Sequence, residues 1–175
     1  GASSGKYYIE IKATEVNTGQ STSMNIVPSD EYGASHSSSG TYGFQIQLNS
    51  TNTQLKKEVE GSSTTINSSF SSGSIAMMAV DLDNGKMWIG YNGTWYNNNN
   101  PSSTLDTNNP DITGIATSVD YLIGFRGYMQ GGYPSGYYNQ ANVNFGNGYF
   151  GTTAVSSAGT NASGNGIFEY DVPTG

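Results

Sequence analysis

Apolar and polar positions alternate along much of this chain, and the alternation has the period of a β-strand. In Lys6–Thr14, Tyr7, Ile9, Ile11 and Ala13 fall on one face, and Tyr8, Glu10 and Lys12 on the other. In Thr41–Leu48, Phe44, Ile46 and Leu48 point one way, Gln45 and Gln47 the other. Both segments read as strands with one buried face. Ile75–Leu82 differs. Ile75, Ala76, Met77, Met78, Ala79, Val80 and Leu82 are apolar in both phases, which predicts an inner strand. Lys86–Tyr91, Tyr121–Arg126 and Ala141–Phe145 complete the stronger strands. Ser21–Val27, Gln54–Val59 and Ile167–Tyr170 carry weaker versions of the pattern. No capped apolar stripe of helical period runs anywhere. Short strands between Gly, Ser and Asn turns predict an all-β fold, a two-layer antiparallel β-sandwich.

Long polar connections interrupt the pattern at Pro28–Gly40, Asn97–Thr117 and Gly127–Gln140, the last reading "GYMQGGYPSGYYNQ". Gly146–Gly166 is rich in Gly, Ser, Thr and Asn and reads as a loop before a last short strand. There is no internal repeat and no break in composition. Residues 1–175 therefore read as a single domain, of a size to be one module in a longer protein.

The stretch "DLDNGKMWIGYNGTW" at Asp81–Trp95 admits two readings. Asp81-x-Asp83-x-Gly85 partly matches a calcium loop, in which alternate oxygen ligands line one side of a sharp turn. The positions that should supply further oxygens hold Lys86, Met87, Trp88 and Ile89 instead. Asn84-Gly85 between two strands is also the preferred pair for a two-residue type I′ hairpin turn, and that reading explains more residues. Asn92-Gly93 then ends the second strand with another tight turn. Trp95 is expected to fold back on the sheet and Trp88 to enter the core.

Composition narrows the function. The chain has 6 basic and 13 acidic residues, a formal net charge of −7, and Lys56-Lys57 as its only basic pair. Such a surface lacks the cationic stripe that neutralises phosphates, which argues against nucleic-acid binding. There is no cysteine and no apolar run long enough to span a membrane as a helix. The 13 tyrosines, 6 phenylalanines and 2 tryptophans supply the buried area that few aliphatic side chains provide. Polar turns with many aromatics and few charges suit a domain outside a cell or on a particle.

Four segments together resemble the SPRY family: "GKYYIEIKA" at Gly5–Ala13, "GSIAMMAVDLDNGKMWIGYNGTW" at Gly73–Trp95, "VNFGNGYF" at Val143–Phe150, and the closing "FEYDVPTG". They stand in the family's order over nearly the whole chain. The resemblance implies a sandwich of the concanavalin A-like jelly-roll kind without catalytic chemistry of its own. The Gly/Asn-rich excursion before the last segment is similar to SPRY modules of bacteriophage structural proteins. This implies a virion-surface, extracellular setting on a tail fibre or capsid.

The residues themselves offer little catalytic chemistry. His36, the only histidine, sits in a Ser-rich loop with no adjacent acid, and no Gly-x-Ser-x-Gly elbow accompanies it. No closely spaced acidic pair lies on an aromatic strand, as a sandwich glycosidase would need. Glu10 and Lys12 are expected as a solvent-facing or cross-strand pair. The sequons at Asn49, Asn67, Asn92 and Asn161 are no more than this composition yields by chance. The expectation is a non-enzyme without metal or cofactor.

The candidate binding residues are aromatics among glycines. Tyr128, Tyr133, Tyr137 and Tyr138 offer flat apolar faces with a hydroxyl at small entropic cost. Arg126 adds a directed charge, and Tyr96 is a weaker candidate. A host-surface glycan or protein is the expected partner. The alternatives are a structural module joining virion subunits, with homo-oligomerisation, and a lectin-like glycan hydrolase.

Overall fold

The computed structural model describes residues 1–15, 20–31, 40–48, 53–67, 69–129, 140–157, 164 and 166–173. Within them the chain is a two-layer antiparallel β-sandwich. One sheet has the strand order β11-β1-β6-β7-β8, formed by Gln140–Asn144, Lys6–Glu15, Ile75–Asp81, Lys86–Tyr91 and Thr94–Trp95. A short β9 (Ile112–Thr113) also pairs with β7. The other sheet runs β10-β2-β3-β4-β5, formed by Tyr121–Met129, Gln20–Pro28, Tyr42–Leu48, Thr53–Val59 and Ser62–Asn67. A small hairpin, β12 (Tyr149–Phe150) with β13 (Thr153–Ala154), stands apart. Among the described residues, no helix is long and apolar enough to cross a membrane.

The period-two reading carries through to the packing. Ile9, Ile11 and Ala13 of β1, Met24 and Ile26 of β2, and Phe44 and Ile46 of β3 are buried between the sheets. From β6 and β7 come Ala76, Met78, Val80, Met87 and Ile89. As its doubly apolar pattern predicts, β6 is an inner strand, buried at every position between β1 and β7.

Three turns differ in a telling way. The β6–β7 hairpin forms, but Asp81 pairs with Lys86, so Leu82–Gly85 make a four-residue loop instead of a two-residue turn. Gly85 alone takes positive φ there (62°). The Asp81 carboxylate causes this: it accepts the Asn84 backbone N–H at 3.0 Å and its side-chain amide at 2.8 Å, holding a wider loop than type I′. The two-residue turn with both central residues at positive φ occurs at Asn92-Gly93 (45° and 82°), closing Tyr91 on Thr94. Glu60-Gly61 (48° and 82°) makes a third, closing Val59 on Ser62. It leads into β5, whose Ser/Thr-rich sequence carries no apolar alternation.

The largest correction concerns the far face of the β1-β6-β7 sheet. The sequence pattern predicts Glu10 and Lys12 as a solvent-facing or cross-strand pair, yet Glu10 is 0% exposed. Residues 95–111, 149–155 and 167–173 fold over this face and make a second core. Ile75, Met77, Ala79, Trp88, Trp95 and Phe150 are buried there, with Tyr8, Leu105, Val155 and Tyr170 packed against them. The signal was present in the outward phase of β6, where Ile75, Met77 and Ala79 need a cover of their own.

Two devices hold that cover. Asn97, Asn98 and Asn99 take successive left-handed conformations (φ 45°, 52° and 71°), which asparagine tolerates better than most residues. Asp111 clamps this turn to the sheet, accepting the Asn98 N–H at 2.9 Å and the Ile89 N–H at 2.8 Å. The second device is Glu10. Its carboxylate accepts the Tyr8 hydroxyl at 2.9 Å and the backbone N–H groups of Glu169 (2.9 Å) and Tyr170 (2.8 Å). Asn144 meanwhile donates to the Ile167 carbonyl at 2.9 Å. Ile167–Tyr170 is therefore not the strand the pattern suggested: side chains take its backbone groups, and only a parallel bridge between Asn147 and Ile167 remains.

Candidate functional site

Among the described residues, the sandwich is open along the flank that carries the edge strands β10 and β11. The inward phase of β1 ends at Tyr7, 43% exposed, its hydroxyl held by the Ser4 carbonyl at 2.9 Å. The inward phase of β11 (Ala141, Val143) runs on to Phe145, 58% exposed. Asn144 fixes that position by accepting the N–H of Gly146 at 2.8 Å and of Gly148 at 3.3 Å, which turns the chain immediately after Phe145. On β10, Ile123 and Phe125 stand opposite Ile26 and Met24, and so point inward, but are 37% and 49% exposed.

Tyr7, Ile123 and Phe145 rim a groove of about 320 Å³ whose floor is Ile9, Ile26 and Met78. Its walls are almost wholly apolar. Beyond Tyr7 and Phe145 a larger cleft of about 810 Å³ opens over the outer face, lined by Lys6, Asp81, Trp88, Thr107 and Phe168 among others. Lys6 and Asp81 approach to 3.8 Å there, with Lys6 half-exposed. The two spaces share Tyr7, Val80 and Phe145. Apolar groups near 40–60% exposure around a concave surface are the ordinary signature of a contact site.

The sequence-predicted residues fall elsewhere. Tyr133, Tyr137 and Tyr138 lie outside the described residues, as does His36. Arg126 and Tyr128 belong to the end of β10, where the backbone alone is described. Their segment leaves β10 at Met129, opposite Gln20, and rejoins β11 at Gln140, opposite Glu15. The groove rim, with Ala2, Tyr121 and Leu82, lies toward the other end of the strands. Tyr96 is 8% exposed and packs in the inter-sheet core, its hydroxyl accepting a hydrogen bond from Asn67. Burial raises the pKa of that hydroxyl, against the lowering effect of Asn67. Trp88 and Trp95 are both buried, as expected, though in the outer core.

The carboxylates weighed for chemistry are engaged in the fold. Asp81 shapes its turn, and Asp83 accepts the Gly5 N–H at 2.9 Å. Among the described residues no three His, Cys, Asp or Glu side chains are grouped to hold a metal ion. Burial raises the pKa of Glu10 and of Asp111, opposed in each by hydrogen bonds from backbone N–H groups. Each serves as a buried acceptor for backbone donors, a structural use of a carboxylate.

Sequence reasoning passed over Tyr7, Ile123 and Phe145 because it read them only as strand residues, Tyr7 on the same face as Ile9 and Ile11. What could have found them is position: each is an inward-phase residue near the end of a strand or on an edge strand.

No family model matches the chain, and no curated protein matches it. Among solved structures, the chain is similar to the TRIM65 PSpry domain at 12% identity and a TM-score of 0.46, over 81% of this chain and 65% of that one. It is also similar to the SPRY domain of human HERC1, at 15% identity and a TM-score of 0.38, over 73% of this chain and 77% of that one. The chain thus spans about two thirds of the length of the first of these.

Proposed function

We propose that this chain is a SPRY-type binding module that works without catalytic chemistry. Its setting is the surface of a phage particle, and its partner there is a host-surface protein. The observation that carries the binding role is the open groove rimmed by Tyr7, Ile123 and Phe145, large apolar side chains left partly in water. A sugar needs polar groups to replace its lost hydration. The groove supplies few, so a protein partner suits it better than a glycan. Glycan contact through Tyr133, Tyr137 and Tyr138 is the second reading, favoured by the density of tyrosine in that segment. The phage setting is supported by the sequence resemblance of the Gly/Asn-rich tail, Asn144–Gly175.

The domain, displayed on beads, is tested against host envelope proteins and a printed array of host-surface glycans. The expected result is capture of a host protein, weakened roughly tenfold or more by the paired change Tyr7→Ser and Phe145→Ser. Binding of a glycan instead, lost on the paired change Tyr137→Ala and Tyr138→Ala, moves the contact to the tyrosine-rich segment. If neither host proteins nor glycans bind, and particles lacking the domain fail to assemble, the module is structural and the host-contact reading is wrong.

A further inference from the structure

The groove adjoins a strand edge whose backbone is ready for a partner. β10 bonds to β2 on one side. On its other side, among the described residues, only Ala2 sits, bridging Tyr121 in antiparallel fashion. Ala2 N–H donates to the Tyr121 carbonyl at 2.9 Å, and Tyr121 N–H to the Ala2 carbonyl at 2.8 Å. This bridge fixes the phase of the whole edge. Backbone groups in an antiparallel strand alternate in direction, so those of Tyr121 pointing away from β2 imply the same for Ile123, Phe125, Gly127 and Met129. Beyond Ala2, no described residue pairs with this edge.

Side chains agree with backbone. A strand laid along β10 in the register begun by Ala2 would place residues opposite Ile123 and Phe125, on the same face as these two. That face looks inward, toward Phe145 and the groove floor of Ile9, Ile26 and Met78. The same residues of the guest would form the backbone bonds and fill the apolar space. Natural sheets protect such edges with Lys, Pro or a bulge. β10 reads YLIGFRGYM, with one charge and no proline, and its pairing with β2 runs without a bulge.

We propose that the open edge of β10 is a strand-docking site. It takes an extended, antiparallel segment of another protein with apolar side chains at every second position. A second copy of this chain fits less well. Self-pairing that uses all the outward residues from Ile123 to Met129 sets Arg126 opposite the same arginine of the copy, and like charges directly opposed are destabilising. Pairing centred on Phe125 avoids this but leaves Met129 without a partner, because Ala2 already holds Tyr121. The guest accordingly carries no cation at the position facing Arg126. The proposal rests on the binding-module reading and names the chemistry of its partner.

The probe is a fluorescein-labelled peptide, about as long as β10, of alternating valine and threonine. In the docked register the valines face Ile123 and Phe125 and exchange the backbone bonds. Anisotropy titration of the intact domain is expected to show saturable binding. N-methylation of the valine amides should abolish it, whereas N-methylation of the threonine amides, which face outward, should leave it within about twofold. Phe125→Lys should weaken binding roughly tenfold or more with the melting temperature within about 2 °C of the parent. Three results would overturn the proposal: no saturable binding, equal binding of both methylated peptides, or a dimer of the unliganded domain that Phe125→Lys dissociates. Should the edge fail while host proteins still bind through Tyr7 and Phe145, the binding role stands and only the docking mode is lost.

Discussion

At the scale of single residues, Glu10 is the most consequential side chain in the molecule. Its partners Glu169 and Tyr170 lie at the far end of the sequence, so one carboxylate ties the first strand to the last described segment. Glu10→Ala leaves two backbone donors and the Tyr8 hydroxyl without an acceptor in a buried place. Each such loss costs about 1–3 kcal/mol, so a net loss of about 2–4 kcal/mol is expected in urea unfolding. Amide exchange should quicken at Glu169 and Tyr170 before it does so in β6. The pH dependence follows from the same burial. The folded-state pKa of Glu10 is raised above its ordinary 4.5. A raised carboxyl binds its proton more tightly when folded, so its contribution to stability is full below about pH 4.5 and is lost as pH rises through the folded value. Asp111 acts in the same direction and Asp106, whose pKa is lowered, in the opposite one. The difference between parent and Glu10→Gln across this range isolates the Glu10 share. Acidification should raise the stability of the parent relative to Glu10→Gln, because the parent's carboxyl then gains the proton that burial favours and the variant's amide does not titrate. A parent that loses stability relative to Glu10→Gln toward low pH would mean that the hydrogen bonds to the charged form outweigh its desolvation.

At the scale of elements, the turns show what the chain's local code specifies and where tertiary contacts override it. Gly85→Ala should be the costlier of the two turn substitutions. Its Cβ would lie 2.3 Å from the Ile115 carbonyl oxygen, a backbone atom, at a φ of +62°. Gly93→Ala shares the left-handed backbone (φ +82°), but its Cβ would meet the Tyr170 ring at 2.9 Å, and that side chain can shift. About 1–2 kcal/mol is expected for Gly93→Ala and a larger loss for Gly85→Ala, both read from urea midpoints. Strands were legible wherever one residue in two was apolar: β7 runs Lys86–Tyr91, the segment its sequence marks out, and β1 ends one residue beyond the expected Thr14. β5 was not legible, since a row of serines and threonines carries no phase and its place is set by the turn at Glu60-Gly61. The short pairs β12 and β13 were lost in a Gly-rich stretch for the same reason. The candidate binding residues were the least legible part. Tyrosines among glycines advertise a contact surface by composition, whereas Tyr7, Ile123 and Phe145 differ from core residues only in where their strands stop.

At the scale of the whole molecule, the chain has two cores with unequal supports. The inter-sheet core is closed by strands from both layers. The outer core lies on a single sheet under irregular segments, pinned by Glu10, Asp111 and the packing of Phe168 on Tyr8 at 4.7 Å between ring centres. Both tryptophans belong to the outer core. Trp88 donates its indole N–H to the Asp106 carbonyl at 2.8 Å, and Trp95 lies 6.0 Å from the Tyr8 ring. Tryptophan fluorescence therefore reports the cover, while far-ultraviolet circular dichroism reports the sheets. In the parent the two unfolding curves should coincide, because lifting the cover breaks the hydrogen bonds that Glu10 accepts from Glu169 and Tyr170, which opposes separate opening. In Glu10→Ala that tie is gone. The segment around Phe168 can then lift while the sheets persist, and the emission should shift to the red at lower urea than the loss of circular dichroism. Coincident curves in the variant would show the cover to be held chiefly by the apolar contacts of Trp88, Trp95, Phe150 and Phe168, with Glu10 adding strength but no cooperativity.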